Sequence, residues 1–135
     1  MKHVFIINPK SNSEAFTEKF RHKIEGLCVN RGLEFEIKST AKNFDAENFA
    51  REAAEKGDAV RVYACGGDGT VNEVVNGIFG FKNAELAVIP IGTGNDFIRT
   101  FGDIKKFFDI ETVIDSEARP IDAIKINDRI CIHRL

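Results

Sequence analysis

A glycine turn set between two apolar runs constrains this chain more than any other feature. Gly66-Gly67-Asp68-Gly69-Thr70 places three glycines in four residues. The run before it, residues 58–65, reads as a buried strand, and the run after it, residues 71–79, as a helix. A strand that turns this tightly into a helix belongs to an α/β fold. The turn is nearly bare backbone, so its N–H groups can face a phosphate at the start of the following helix. Asp68 adds a carboxylate able to hold Mg²⁺.

The same alternation recurs along the chain. Residues 3–8 form a continuous apolar run, as in a strand buried on both faces. Ser13 is the expected cap of a helix that carries Phe16, Phe20, Ile24, Leu27 and Cys28 on one face, and Gly32 ends it. Leu33, Phe35 and Ile37 alternate with Glu34, Glu36 and Lys38, which is strand periodicity. Residues 45–56 read as a second helix, with Asp45 as its cap and Phe49, Ala50, Ala53 and Ala54 as its buried stripe. Residues 59–65 and 86–91 give two further strands, with a helix over 69–79 between them. A short helix over 95–101 and another helix around 112–115 are expected next. Two strands, 119–127 and 129–133, are joined at the turn-prone pair Asn127-Asp128. The pattern predicts a three-layer α/β/α domain with a mainly parallel sheet, one nucleotide-binding domain over residues 1–135.

Ligands of such sheets bind at the C-terminal ends of the strands. Four loops converge there: residues 8–12, 39–44, 66–70 and 92–96. The first offers side-chain amides, a hydroxyl and an ammonium from Asn8, Pro9, Lys10, Ser11 and Asn12. The last, within Pro90-Ile91-Gly92-Thr93-Gly94-Asn95-Asp96-Phe97, flanks Thr93 with glycines and puts a second acid, Asp96, on the edge that holds Asp68. Two acids near a nucleotide can divide metal holding and proton handling. Asn95 suits a helix cap equally well. Asn72 and Glu73 lie one turn into the third helix, facing either nucleotide or solvent. The glycine turn lacks the GK[ST] ending of a Walker A loop and the spacing of a dinucleotide fingerprint.

The formal net charge of −2 gives no bulk attraction to nucleic acid. Cys28, Cys65 and Cys131 are odd in number and widely spaced, so they suggest buried thiols of a reducing compartment and neither a disulfide framework nor a zinc site. The N-terminal apolar run ends at Pro9, too short for a signal peptide or a membrane span, so a cytoplasmic location is expected. His3, His22 and His133 show no ligand spacing. Lys105 and Lys106 beside Phe107 and Phe108 read as a half-buried loop sooner than as a membrane contact.

GGDGTVNEVVNG at residues 66–77, followed by PIGTGNDF at 90–97, resembles the catalytic domain of the diacylglycerol kinase family. That family includes soluble bacterial lipid kinases, sphingosine kinases and ceramide kinases. NPKSN from Asn8 is similar to the family's opening NPxSG motif. GGDGT alone is shared with NAD kinases and has a relative in phosphofructokinases; the pair of motifs is more specific. The resemblance implies a fold like the N-terminal domain of those three groups, and ATP- and Mg²⁺-dependent phosphorylation of a diacylglycerol-like lipid alcohol. By the same resemblance, Asn8, Pro9, Lys10, Ser11, Asn12, Thr40, Gly66, Gly67, Asp68, Gly69, Thr70, Asn72, Glu73 and Thr93 line the ATP site. Asp68 and Asp96 are the implied catalytic acids, and Asp68 and Asp122 the implied metal ligands, the latter through water.

The implied partners are the nucleotide and, in the full-length enzyme, a lipid alcohol at a membrane surface. A homodimer is allowed, and nucleic acid is not implied. Two departures from the family pattern matter. Asn12 stands where the family has glycine, and asparagine is expected to accept a left-handed backbone there. Family members are roughly twice as long, with a second β-sandwich domain for lipid binding and a catalytic glutamate. The chain is therefore expected to be the nucleotide half and inactive by itself. An NAD kinase-like domain is the alternative enzyme, disfavoured by GTGND. A non-catalytic nucleotide-binding module is the alternative from another class.

Overall fold

In the computed structural model of the chain, the described residues are 1–91, 109–118, 124–126 and 129–131. Four strands, β1 (Lys2–Ile7), β2 (Phe35–Ser39), β3 (Val60–Gly66) and β4 (Ala84–Pro90), pair in parallel in the order β2-β1-β3-β4. Helix α1 (Glu14–Asn30) links β1 to β2, α2 (Asp45–Glu55) links β2 to β3, and α3 (Asp68–Ile78) links β3 to β4. The central position of β1 and β3 explains their unbroken apolar runs, since both faces of each are covered. β2 lies at an edge, which explains its alternation and its partial exposure. A short helix, α4 (Ile110–Asp115), is capped by the Asp109 side chain, which accepts from Glu111 N–H. A two-stranded antiparallel hairpin, β5 (Ile124–Ile126) and β6 (Arg129–Cys131), completes the described elements. The helix expected over 95–101 lies outside them.

Each face of the sheet carries its own core. Val4, Ile6, Val60, Val62, Ala64 and Val88 meet α2 and α3 on one face. Phe5, Ile7, Tyr63, Cys65, Ala87 and Ile89 meet α1 and α4 on the other. Burying each such large apolar side chain contributes roughly 1.5–3 kcal/mol. The α1 side of the switch in strand order, between β1 and β3, thus faces away from α2 and α3. Cys28 and Cys65 are free and buried, and burial pushes both thiols up.

Three expectations need correction. Asp45 does not cap α2. Phe44 holds the N-cap position, and Asp45, the first helical residue, turns its carboxylate back to accept from Ala41 N–H (2.8 Å) and Lys42 N–H (3.0 Å). These backbone donors hold its carboxyl below the ordinary range. Asn12 is not left-handed. At φ −153° and ψ 179° it is extended, because its amide spans to Ile91 O (2.8 Å) and ties the β1 loop to the end of β4. Phe16 is not core. It is 41% exposed and stacks on Phe20, while Thr17 is buried in its place. Ser13 does cap α1, accepting from Phe16 N–H.

Candidate functional site

The strand order reverses between β1 and β3, since β2 lies to one side of β1 and β3 to the other. In open parallel sheets ligands bind in the crevice at this point, outside the C-terminal strand ends. The loops after β1, β2 and β3 meet there around one cleft of about 80 Å³. Asn8 and Lys10 come from the first loop, Thr40, Ala41, Lys42 and Asn43 from the second, Ala46 from α2, and Thr70 and Glu73 from α3. The volume suits a phosphate group and is well below the roughly 300 Å³ of a small-molecule pocket. A larger ligand would extend over the open rim.

Local structure sets each wall. Asn8 caps a single 3-10 turn, Pro9–Ser11, by accepting from Lys10 N–H. Pro9 stands at the first position of that turn, where its missing N–H costs nothing. Thr40 N–H continues the parallel ladder onto Ile7 O (2.9 Å), which fixes where the second loop departs. Gly66 ends β3 in a crowded position. A Cβ there would lie 2.9 Å from Thr70 Cβ, closer still to its hydroxyl, and 3.2 Å from Ser11 Oγ. Only glycine lets the first and third loops approach this closely.

Gly67 is the N-cap of α3 and has no side chain to satisfy the helix's first N–H groups. Those groups have no acceptor within the helix and carry the positive end of its dipole. Gly69, within this first turn, is exposed, and a Cβ on it would meet nothing within 4 Å. Lys10 and Lys42 add positive charge from two sides. Thr70 is buried at the same turn. The site therefore combines helix-end amides, two ammonium groups and a hydroxyl, a set suited to phosphate.

Glu73 adds the opposite charge. Its Oε1 is buried and has no hydrogen-bond partner among the described residues. A buried carboxylate oxygen is costly unless a donor or cation meets it. A divalent ion, or the hydroxyl of a bound ligand, would fit this donor set; no group of three or more metal-ligating side chains occurs among the described residues.

The structure thus brings Asn8, Lys10, Thr40, Thr70 and Glu73 together on one cleft. Ser11, Gly66, Gly67, Asp68 and Gly69 are not among its lining residues, although a Cβ on Gly66 would meet both Thr70 and Ser11. Asn12 braces the site from its edge. Asn72 is not among the lining residues, and its carbonyl accepts from Asn76 (2.7 Å). Thr93, Asp96 and Asp122 lie outside the described residues. Lys42 and Asn43 were not singled out by sequence, though the spacing of Thr40 and Asp45 marks the loop that carries them. Asn76 pairs with both the N–H and C=O of Ile130, at 2.7 and 2.8 Å, and so docks the β5–β6 hairpin on α3. No helix among the described residues is long and apolar enough to cross a membrane.

Comparison with known proteins bears on this geometry. The family model described as the diacylglycerol kinase catalytic domain matches residues 2–126. The chain is 40% identical over 133 residues to a diacylglycerol kinase of Bacillus subtilis, covering 95% of this chain and 43% of that protein. It is 38% identical over 132 residues to a diacylglycerol kinase of Staphylococcus epidermidis, covering 95% and 40%. A crystal structure of a diacylglycerol kinase from Bacillus anthracis superposes with a TM-score of 0.71 at 31% identity, covering 96% of this chain and 48% of that one. The chain spans less than half the length of these relatives.

Proposed function

The chain belongs to the diacylglycerol kinase catalytic domain family, and from that premise we propose that it is the nucleotide-binding portion of an ATP-dependent lipid kinase. The observation that carries the reading is the start of α3 on a glycine N-cap, Gly67, with Lys10 and Lys42 on the neighbouring cleft where the strand order reverses. In this reading the phosphates of ATP lie on the Gly67–Thr70 amides, and the two lysines offset their charge. Thr40 and Asn8 contact the nucleotide from the facing loops. Asp68 and Asp122 are the proposed residues that would hold Mg²⁺, with the Glu73 carboxylate as a further candidate, and the ion would offset phosphate charge. Asp68 and Asp96 are the proposed catalytic acids, and Thr93 completes the pocket. The chain's own contribution to transfer is positioning and charge stabilisation around an in-line attack by a lipid hydroxyl. The acceptor is a diacylglycerol-like alcohol met at a membrane surface.

Calorimetric titration of the chain with ATP in Mg²⁺ buffer tests the reading. Saturable binding is expected. Gly69→Val, which blocks the amides without a packing clash, should weaken it about tenfold. No saturable binding up to millimolar ATP would overturn the proposal. The chain alone should transfer little or no phosphate to diacylglycerol, and robust chain-dependent transfer would sink that part. Phosphorylation of NAD would redirect the reading to an NAD kinase-like domain.

A further inference from the structure

Phe44 is the one non-glycine residue with positive φ (69°) among the described residues. A bulky side chain rarely occupies that region. Burial does not hold it there, since Phe44 is 54% exposed. Its ring instead lies under the Arg129 guanidinium, whose centre is 5.4 Å from the ring centroid. The same guanidinium sits 2.6 Å from Glu47 Oε1, on a carboxylate only 11% exposed. Arg129 is carried by β6, and the next residue, Ile130, is fixed to α3 by two hydrogen bonds with the Asn76 side chain. The hairpin thus reaches from α3 across the first turn of α2 to the end of the β2–α2 loop.

That loop is a wall of the cleft. Ala41, Lys42 and Asn43 line it, Thr40 N–H anchors its start on β1, and Asp45 holds the amides of Ala41 and Lys42. Its far end is Phe44. We propose that Arg129 is a positioning residue for the cleft, holding the β2–α2 loop in place through Phe44 and Glu47. Without Arg129 the Phe44 backbone keeps its cost and loses the contact over its ring, and Glu47 retains, among the described residues, Arg51 at 3.4 Å. The loop then relaxes and Lys42 leaves its place on the cleft. The effect on ATP rests on the nucleotide reading above, while the coupling of hairpin to loop does not.

Amide hydrogen exchange at Ala41 and Lys42, followed by NMR without nucleotide, tests the coupling. Arg129→Gln should speed exchange at both amides about fivefold while leaving the β1 and β3 amides unchanged. Arg129→Lys should restore most of the protection, because an ammonium keeps both the ion pair and the contact with the ring. In a Phe44→Gly background, where φ 69° carries no cost, Arg129→Gln should have a smaller effect, since only the Glu47 ion pair is then lost. Unchanged exchange in Arg129→Gln, or a full effect persisting with Phe44→Gly, would overturn the proposal. If Arg129→Gln fails to fold, Glu47→Gln removes the ion pair from the other side and should speed the same two amides; unchanged exchange there would overturn it equally. ATP titration of the same proteins separates the two readings. Faster exchange with no ATP binding by the unmutated chain would sink the nucleotide reading and leave the coupling standing, whereas a fivefold loss of ATP affinity alongside faster exchange supports both.

Discussion

On the face of the sheet covered by α2 and α3, the fully buried core consists of alanine, valine and isoleucine. On the opposite face, under α1 and α4, Phe5, Phe20 and Tyr63 fill the space with help from isoleucines. The small residues let α2 and α3 approach almost backbone to backbone. A Cβ on Gly77 would lie 2.7 Å from Ala50 Cβ, 3.1 Å from Arg51 N and closer still to Glu47 O. Among the described residues the bulky face shows no such crossing; a Cβ on Gly26 of α1 would meet nothing within 4 Å. It buries a polar row instead, in which His3 Nδ1 is hydrogen-bonded to the Tyr63 hydroxyl at 2.6 Å and Arg61 meets Glu85 at 3.0 Å. Arg61 also donates to Val113 O and Ile114 O, in the last turn of α4. The difference teaches how the candidate site is held. The face that carries the glycine turn has little slack, so α3 is located by contact with α2. The other face supplies most of the bulk and tethers α4 by directed hydrogen bonds.

The contrast can be broken most severely on the bulky face. Phe5 is fully buried in a central strand and stacks on Tyr63 with ring centroids 4.1 Å apart. Phe5→Ala should cost about 4 kcal/mol in urea unfolding. A loss under 1 kcal/mol would mean that this face is not the main apolar reservoir.

One substitution made on each face should then differ in sign. Gly77→Ala drives a methyl into the backbone of α2 and should cost about 2 kcal/mol, despite the better helix propensity of alanine. Gly26→Ala, in α1 with nothing within 4 Å, should gain about 0.8 kcal/mol. Equal effects at the two positions would erase the claim that only the α2–α3 face is in backbone contact.

Acid should separate the faces more gently. Burial, and then the nearby Arg61 charge, lower the His3 pKa from its ordinary value of 6.5. The unfolded chain therefore takes up a proton before the folded one does, and stability falls as pH drops below 6.5 toward the lowered folded value. Burial works against the charge of Glu47, but Arg129 and Arg51 outweigh it and hold its carboxyl below the ordinary 4.5. Its contribution is present above 4.5 and is lost as pH falls through the lower folded value. Equilibrium unfolding followed across pH 7 to 3 should show the His3 loss first, and His3→Gln should flatten that upper part alone (roughly the window set by a free imidazole). Loss confined to the lower window would break the assignment.

Much of the α/β layering was legible in the residue pattern. The unbroken apolar runs of β1 and β3 marked buried strands, and the alternation of Leu33, Phe35 and Ile37 marked a strand whose place at the edge only the sheet order shows. Ser13 was legible as a cap because its chemistry is local. Asp45 was misread because the same chemistry serves two local partners. An acid beside a helix start can accept from the helix or from the loop before it, and the left-handed Phe44 turned it to the loop. Asn12 was misread because its amide binds a residue that sequence places far away, Ile91. The pattern located the loop carrying Lys42 without showing that the lysine lines the cleft.

By itself the sequence determined the order of strands and helices, the bare turn at Gly66–Thr70 and the family to which that turn belongs. These are properties of periodicity, glycine and short-range spacing, and they need no distant partner. Only the tertiary structure decided that Lys10, Lys42 and Glu73 share one cleft, that Gly77 meets the backbone of α2, and that Arg129 lies over Phe44. Those contacts depend on strand order and on the tilt of one element over another, which fix distances between residues that the chain itself keeps far apart. The glycine turn could be read from five residues; the walls of the cleft beside it come from two loops and two helices.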